Sequence, residues 1–182
     1  MARIPYPERN ALQHEAALAL DSMKPMNIFR MLARADSMAP PIFDAATRLF
    51  TKGCTELSPR LRQVAILRVA GAGGFDYLVA HHEPISRRVH MSDIEIASCL
   101  SSDEDGWRKL GSTESAVARY ATESTLAINV ADDTFNSVRA DLSDRQLVEL
   151  TVVVGFYNFI GRFLIALQIE VEPVTGSVVT QT

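Results

Sequence analysis

"LSPRLRQVAILRVAGAGGFDYLVAHHEPISRRVHMSDIEIASCL", Leu57 to Leu100, is the stretch on which the reading of the whole chain turns. Ser58-Pro59 reads as a cap followed by proline at the first helical position, so a helix opens there and runs to the glycines at 71, 73 and 74. A second helix is expected from about Phe75 to Val89. "SDIE" at Ser92 to Glu95 is a capping box, with the serine bonding forward and the glutamate reaching back, and it predicts a third, shorter helix. Pro84 interrupts the second helix: it has no N–H to give the Ala80 carbonyl, so a kink is expected beside His81 and His82.

Outward from this stretch the apolar spacing stays helical, with no period-two run long enough for a sheet. Glu8 to Met23 reads as a first helix. Asn27 caps a short one through Ala35, and Pro40-Pro41 stand in the first turn of another whose apolar face is Ile42, Phe43, Ala46, Leu49 and Phe50. "SSDEDGW" reads as a loop, Glu114 to about Val130 as a long helix, and a short helix follows Asp133. A second capping box, Ser143 to Gln146, precedes an apolar helix to about Gln168. Within that helix Leu150 to Ile169 has the length of a membrane span. Because it carries Asn158, Arg162 and Gln168 and stands alone, it reads as the buried centre of an all-α domain. The expectation is one domain over 1–170 and a C-terminal tail at 171–182 that is mobile or lies on a neighbouring subunit.

The 182 residues, 47% hydrophobic and 22% charged with a net charge of -4, describe an ordinary globular chain. Basic residues are scattered rather than gathered in a stripe, which argues against nucleic acid as a partner. Cys54 and Cys99 lie far apart, so no local dithiol or zinc knuckle is available, and "MARIPYPERN" has no apolar run behind Arg3. A cytoplasmic protein is expected.

Adjacent histidines on a helix point about 100° apart, so His81 and His82 face different surroundings. His81 shares a face with Tyr77, one turn earlier. Neither histidine has a histidine or carboxylate three or four residues away, which speaks against a metal site. Packing alone would account for one lone histidine. Two of them, beside a helix irregularity and with a tyrosine hydroxyl at hand, make a candidate for proton transfer near neutral pH.

Leu57 to Leu100 resembles the core of the carboxymuconolactone decarboxylase family, which includes the alkylhydroperoxidase D proteins, and the likeness extends more weakly through "VELTVVVGFYNFIGRFLIAL". The resemblance implies an alkylhydroperoxidase D-like helical fold assembled as a homo-oligomer, a trimer or a hexamer. The family's peroxidase branch carries a glutamate, then Cys-x-x-Cys, then a histidine. Laid on this chain with the histidine at His82, that pattern puts Gln63 at the glutamate and Phe75 and Leu78 at the two cysteines. A dithiol peroxidase needs an attacking and a resolving thiol, so that activity is disfavoured. His90 stands where the family often ends a helix with glycine, which fits a left-handed surface cap.

The decarboxylase branch implies chemistry on a small lactone, enol or carboxylate compound without metal or organic cofactor. His82, assisted by His81 and Tyr77, would move the proton, and Gln63 would orient the substrate, since an amide cannot serve as a base. Arg162, with Tyr157 and Asn158 nearby on the last helix, is the expected anchor for a substrate carboxylate, unless it serves a subunit contact; Arg68 is a weaker anchor of the same kind. The alternatives are a non-catalytic binding protein that keeps the pocket and a peroxidase-like antioxidant protein.

Overall fold

Local signals set most helix ends. A computed structural model of the chain describes residues 1–173, and among the described residues the regular structure is helical. Ser58 Oγ accepts the Leu61 N–H at 3.2 Å with Pro59 behind it, starting one helix; Gly74, at φ 66°, ends that helix in left-handed geometry. Both capping boxes close as read. Glu95 accepts the Ser92 N–H at 2.7 Å while Ser92 Oγ accepts from Glu95, and Gln146 accepts the Ser143 N–H at 2.9 Å with Ser143 Oγ accepting in return.

The chain falls into two compact units. The first comprises Met1–Phe43 with the C-terminal segment from Leu167. Here the expected first helix is broken: Gln13 is extended and its N–H points to Asp36 Oδ1 at 3.3 Å, so a 3-10 turn at Arg9–Ala11 precedes α1 (His14–Asp21). Next comes α2 (Asn27–Leu32). Asn27 is its first residue rather than its cap; the Glu172 carboxylate takes the Asn27 N–H instead, and Asn27 Nδ2 donates to the Glu170 carbonyl at 3.1 Å. Ile28, Met31, Leu32 and Ala39 form the core of this unit, with Phe29 set edge-on against Phe43. Of the tail expected at 171–182, residues 171–173 are non-helical and 174–182 lie outside the described residues.

The second unit, Asp44–Ala166, is built around α4 (Pro59–Gly73). From Arg62 to Ala70 every residue of α4 is buried, because it packs against α5 (Asp76–Arg88), α6 (Asp93–Leu100) and α7 (Ser112–Leu126) at once. The helix that begins at Ala39, α3 (Ala39–Arg48), stops before Phe50, leaving that ring in a turn. α5 runs on through Pro84. "SSDEDGW" is more ordered than a loop. A 3-10 helix at Glu104–Lys109 starts where Asp103 accepts the Asp105 N–H at 3.0 Å, and Trp107 is held by its Nε1–H on the Ser101 carbonyl at 3.2 Å. α7 ends earlier than its apolar pattern predicts: Glu123 turns its carboxylate to the Ala131 N–H and Thr134 Oγ1 at 2.9 and 2.7 Å, tying down α8 (Asp132–Arg139).

The valine-rich run is helical, within α9 (Asp144–Leu167). Leu147, Leu150, Val154, Tyr157, Gly161 and Leu164 recur at helical spacing as its buried stripe, while Val148, Val152, Phe159 and Ile165 stand exposed on the other side. By length and composition α9 could cross a bilayer, yet 44% of its most apolar window is buried within the protein.

Candidate functional site

The adjacent histidines diverge as helix geometry requires. His81 is half-buried, stacked on the Tyr77 ring at 4.2 Å, and its Nδ1–H donates to the Tyr77 carbonyl at 2.8 Å. His82 points inward, where 6% of it remains exposed. Its Nδ1 lies 3.0 Å from Gln63 Oε1 of α4, so the ring donates there and keeps a lone pair on Nε2. Ser86, one turn on, donates to the His82 carbonyl at 2.8 Å and lies 3.4 Å from the same Gln63 oxygen.

Three further side chains close around this pair. Tyr157 of α9 meets the His82 ring edge-on at 5.0 Å, and Phe50 lies 6.1 Å away on another side. Arg62, the residue before Gln63, holds its guanidinium 4.8 Å over the Phe50 ring. Burial, with His81 and Arg62 adding like charge, lowers the His82 pKa to about 3, so the imidazole is neutral at physiological pH. Burial also holds the Tyr157 phenol protonated well beyond its usual range.

Gln63, His82 and Tyr157 are thus brought together. Tyr77 and His81 form a pair of their own on another face of α5. Asn158 turns to α7, donating to Thr125 Oγ1 at 3.0 Å, and Arg162 is exposed. Tyr157, Asn158 and Arg162 therefore do not converge as the expected anchor: successive residues of α9 turn by about 100°, and only Tyr157 faces the histidine. Arg68 is engaged elsewhere, donating to the Cys99 carbonyl at 2.7 Å and to that of Ser101 beneath Trp107. The arginine that stands beside His82 is Arg62, which the sequence reading passed over.

At the two positions aligned with thiols, apolar groups fill the space. Leu78 is buried, and the Phe75 ring is clamped between Gly73 and Gly161: a Cβ on either would come within 2.3 or 2.2 Å of it. Cys99 is buried, its thiol pushed up to about 12, which makes it a poor nucleophile; Cys54 is exposed. His90 adopts φ 64° and its carbonyl accepts from Arg60 at 2.8 Å, as suits a helix-ending cap. Among the described residues no three His, Cys, Asp or Glu side chains form a ligand set.

A cavity of about 450 Å³ lies elsewhere, lined by Trp107, Arg108, Ser112, Arg119 and Asp133 among others. Several of its polar groups are spoken for: Arg108 pairs with Asp105 at 2.9 Å, and Ser115, Thr134 and Ser137 donate to protein oxygens. Its size alone does not outweigh the chemistry gathered at His82.

No protein-family model matches the chain, and no curated protein does. Solved structures do. An "alkylhydroperoxidase AhpD core: uncharacterized peroxidase-related protein" from Ralstonia eutropha JMP134 superposes with a TM-score of 0.76 at 16% identity, covering 94% of this chain and 92% of that one. A "putative antioxidant defence protein AhpD" from Agrobacterium tumefaciens, of unknown function, gives 0.67 at 23% identity over 79% of this chain and 96% of its own. An uncharacterized peroxidase-related protein from Silicibacter sp. TM1040 gives 0.69 at 16% identity, over 93% and 87%. The chain therefore has the alkylhydroperoxidase D-like fold, in a form whose two cysteines, at 54 and 99, make no Cys-x-x-Cys.

Proposed function

We propose that this protein is a cofactor-independent lyase or isomerase acting on a small lactone, enol or carboxylate compound by proton transfer at His82. The observation that carries the reading is the 3.0 Å contact between His82 Nδ1 and Gln63 Oε1, which fixes the tautomer and leaves Nε2 free beside Tyr157. In an isomerisation, Nε2 takes a proton from the carbon next to a carbonyl, and the C–H electron pair moves into an enolate. The imidazolium then returns the proton to a different carbon. In a decarboxylation the bond to the carboxylate breaks, carbon dioxide leaves, its electron pair stays as the enolate, and His82 delivers to carbon a proton that Nε2 has taken from solvent in the substrate complex. In both, the protonated Tyr157 hydroxyl is the donor for the enolate oxygen. Tyr77 and His81 stand outside this path.

The exposed apolar side of α9, with Val148, Val152, Phe159 and Ile165, supports assembly as a homo-oligomer, for which we propose a trimer or hexamer in the cytoplasm. The rival reading is a non-catalytic binder of the same compounds. It is favoured by the low basicity of His82, whose neighbour at position 63 is an amide rather than a carboxylate. Turnover of a panel of lactone acids and enols by wild type and His82→Ala separates the two. Loss of turnover with binding retained supports the enzyme, whereas turnover unchanged in the variant removes His82 from the mechanism. Peroxide consumption that survives Cys54→Ser/Cys99→Ser would likewise exclude thiol chemistry as its source.

A further inference from the structure

Arg62 is 7% exposed and carries a charge with no ion pair among the described residues. Its Nη1 donates to Thr55 Oγ1 at 3.3 Å, while its Nε has no hydrogen-bond partner among the described residues. The carboxylate that acts on it from α9, Glu149, is committed: one oxygen takes the Glu56 and Leu57 N–H groups at 2.8 and 2.7 Å, the other takes Arg145 at 3.0 Å. The next residue repeats the deficit. Gln63, 1% exposed, has its oxygen occupied by His82 and Ser86, and its Nε2 donates to nothing among the described residues. Two neighbouring buried groups therefore hold unspent donors, and one of them bears an uncompensated positive charge. A buried donor left without a partner costs about 1–3 kcal/mol, and more when the group is charged. Water can satisfy an amide, but it brings no counter-charge.

We propose that Arg62 and the Gln63 amide form an anion subsite, which takes the carboxylate of a small organic acid and sets a negative charge beside His82. This rests on the reading of His82 as the centre of the site; it names the substrate class and moves the anchor from Arg162 to Arg62. The groups facing His82 are His81 on its own helix, Arg62 and Gln63 from α4, Tyr157 from α9 and the Phe50 ring. None of these is an anion. Protonating the ring in the empty site sets a second cation beside Arg62. A carboxylate on Arg62 cancels that repulsion and sets an opposite charge beside the ring, which raises the His82 pKa against the burial that chiefly lowers it and moves Nε2 toward carrying a proton. The ligand thus supplies the charge that the amide at position 63 cannot. Phe50, 39% exposed and contacting both Arg62 and His82, is the group that must move to admit it.

The test is calorimetric titration of the full chain with sodium succinate near pH 6, in two buffers of different ionisation heat and at matched ionic strength. Wild type is expected to bind succinate with uptake of protons, and His82→Gln to bind without it. Arg62→Gln should bind at least tenfold more weakly, and Arg162→Gln as wild type does. Arg62→Lys, which keeps the charge without Nε, should fall between. Wild type that ignores succinate, or binds it with no proton uptake, overturns the proposal whether or not the Arg62 variants fold; so does loss of binding in Arg162→Gln with binding kept in Arg62→Gln. The readout needs no turnover. A His82→Ala protein with full activity would sink the catalytic reading and leave a succinate result standing, and the converse holds.

Discussion

Acid should destabilise this protein through His82 over a defined interval. In the unfolded chain the imidazole takes up its proton as pH falls through about 6.5, whereas in the folded protein burial, with like charge from His81 and Arg62 adding to it, holds protonation off until about pH 3. Between these values the unfolded state binds one more proton than the native one, so stability declines by about 1.4 kcal/mol per pH unit; above pH 6.5 the contribution is fully present. From pH 6.5 to 5 the loss attributable to this ring is about 2 kcal/mol, a large share of the 5–15 kcal/mol typical of a domain. His82→Gln keeps a donor for Gln63 Oε1 but does not titrate. Urea denaturation of both proteins at pH 7.5, 6.5, 5.5 and 5 isolates the ring, because carboxylates such as Glu95 and Glu149, whose pKa values are lowered by backbone N–H groups and arginines, contribute equally to both. Wild-type stability should fall relative to that of the variant as pH drops, by about 2 kcal/mol from pH 6.5 to 5. Parallel curves across the interval would refute the claim that His82 is buried as a neutral ring.

Three other outcomes follow from the packing and charge around the site. Gln63→Glu places a carboxylate against His82 Nδ1 and near Arg62, so the wild-type acid slope should flatten between pH 6.5 and 5 in the same denaturation series; an unchanged slope would mean that position 63 does not govern the ring. Gly161→Ala must displace a Phe75 ring held on its far side by Gly73, and should cost about 1–3 kcal/mol, whereas Gly155→Ala, with nothing within 4 Å, should gain about 0.5–1 kcal/mol of helix propensity; equal melting temperatures for the two variants would contradict the clamp. In the native state a thiol reagent near pH 8 should label exposed Cys54 and spare Cys99, which reacts only when urea is added; rapid labelling of both would show that Cys99 is accessible.

What could be read from the sequence was local. Ser58-Pro59, Ser92 with Glu95 and Ser143 with Gln146 each specify a hydrogen bond within one turn, and each forms where the residues stand. What failed depended on distant groups. The Asn27 cap gave way to a carboxylate 145 residues along the chain, and the first helix to Asp36. Gln63 and His82 were found because family spacing pairs them. Arg62 and Arg68 look alike in the sequence, as basic residues on an apolar helix, and both are buried; only the distribution of partners tells them apart. Arg68 has two carbonyls, while Arg62 has one weak hydroxyl contact. The sequence carried no clear signal for Arg62: standing next to Gln63 is the same nearness along a helix that grouped Arg162 with Tyr157, and only the packing around His82 separates the two.

An amide at position 63 changes which part of the system must supply charge. A carboxylate there would hold the histidine ready to protonate in the empty protein and would give Arg62 a partner. Gln63 does neither: it fixes the tautomer, leaves the imidazole neutral, and leaves the guanidinium without a counter-ion among the described residues. In a dithiol enzyme such a site would be useless, since nothing there activates sulfur, and Phe75 clamped between Gly73 and Gly161 leaves sulfur no room. For an anionic substrate the same site is economical. The acid group of such a compound would complete the electrostatics on arrival, and only then would His82 gain the basicity that proton transfer needs, so a neutral analogue should not be turned over.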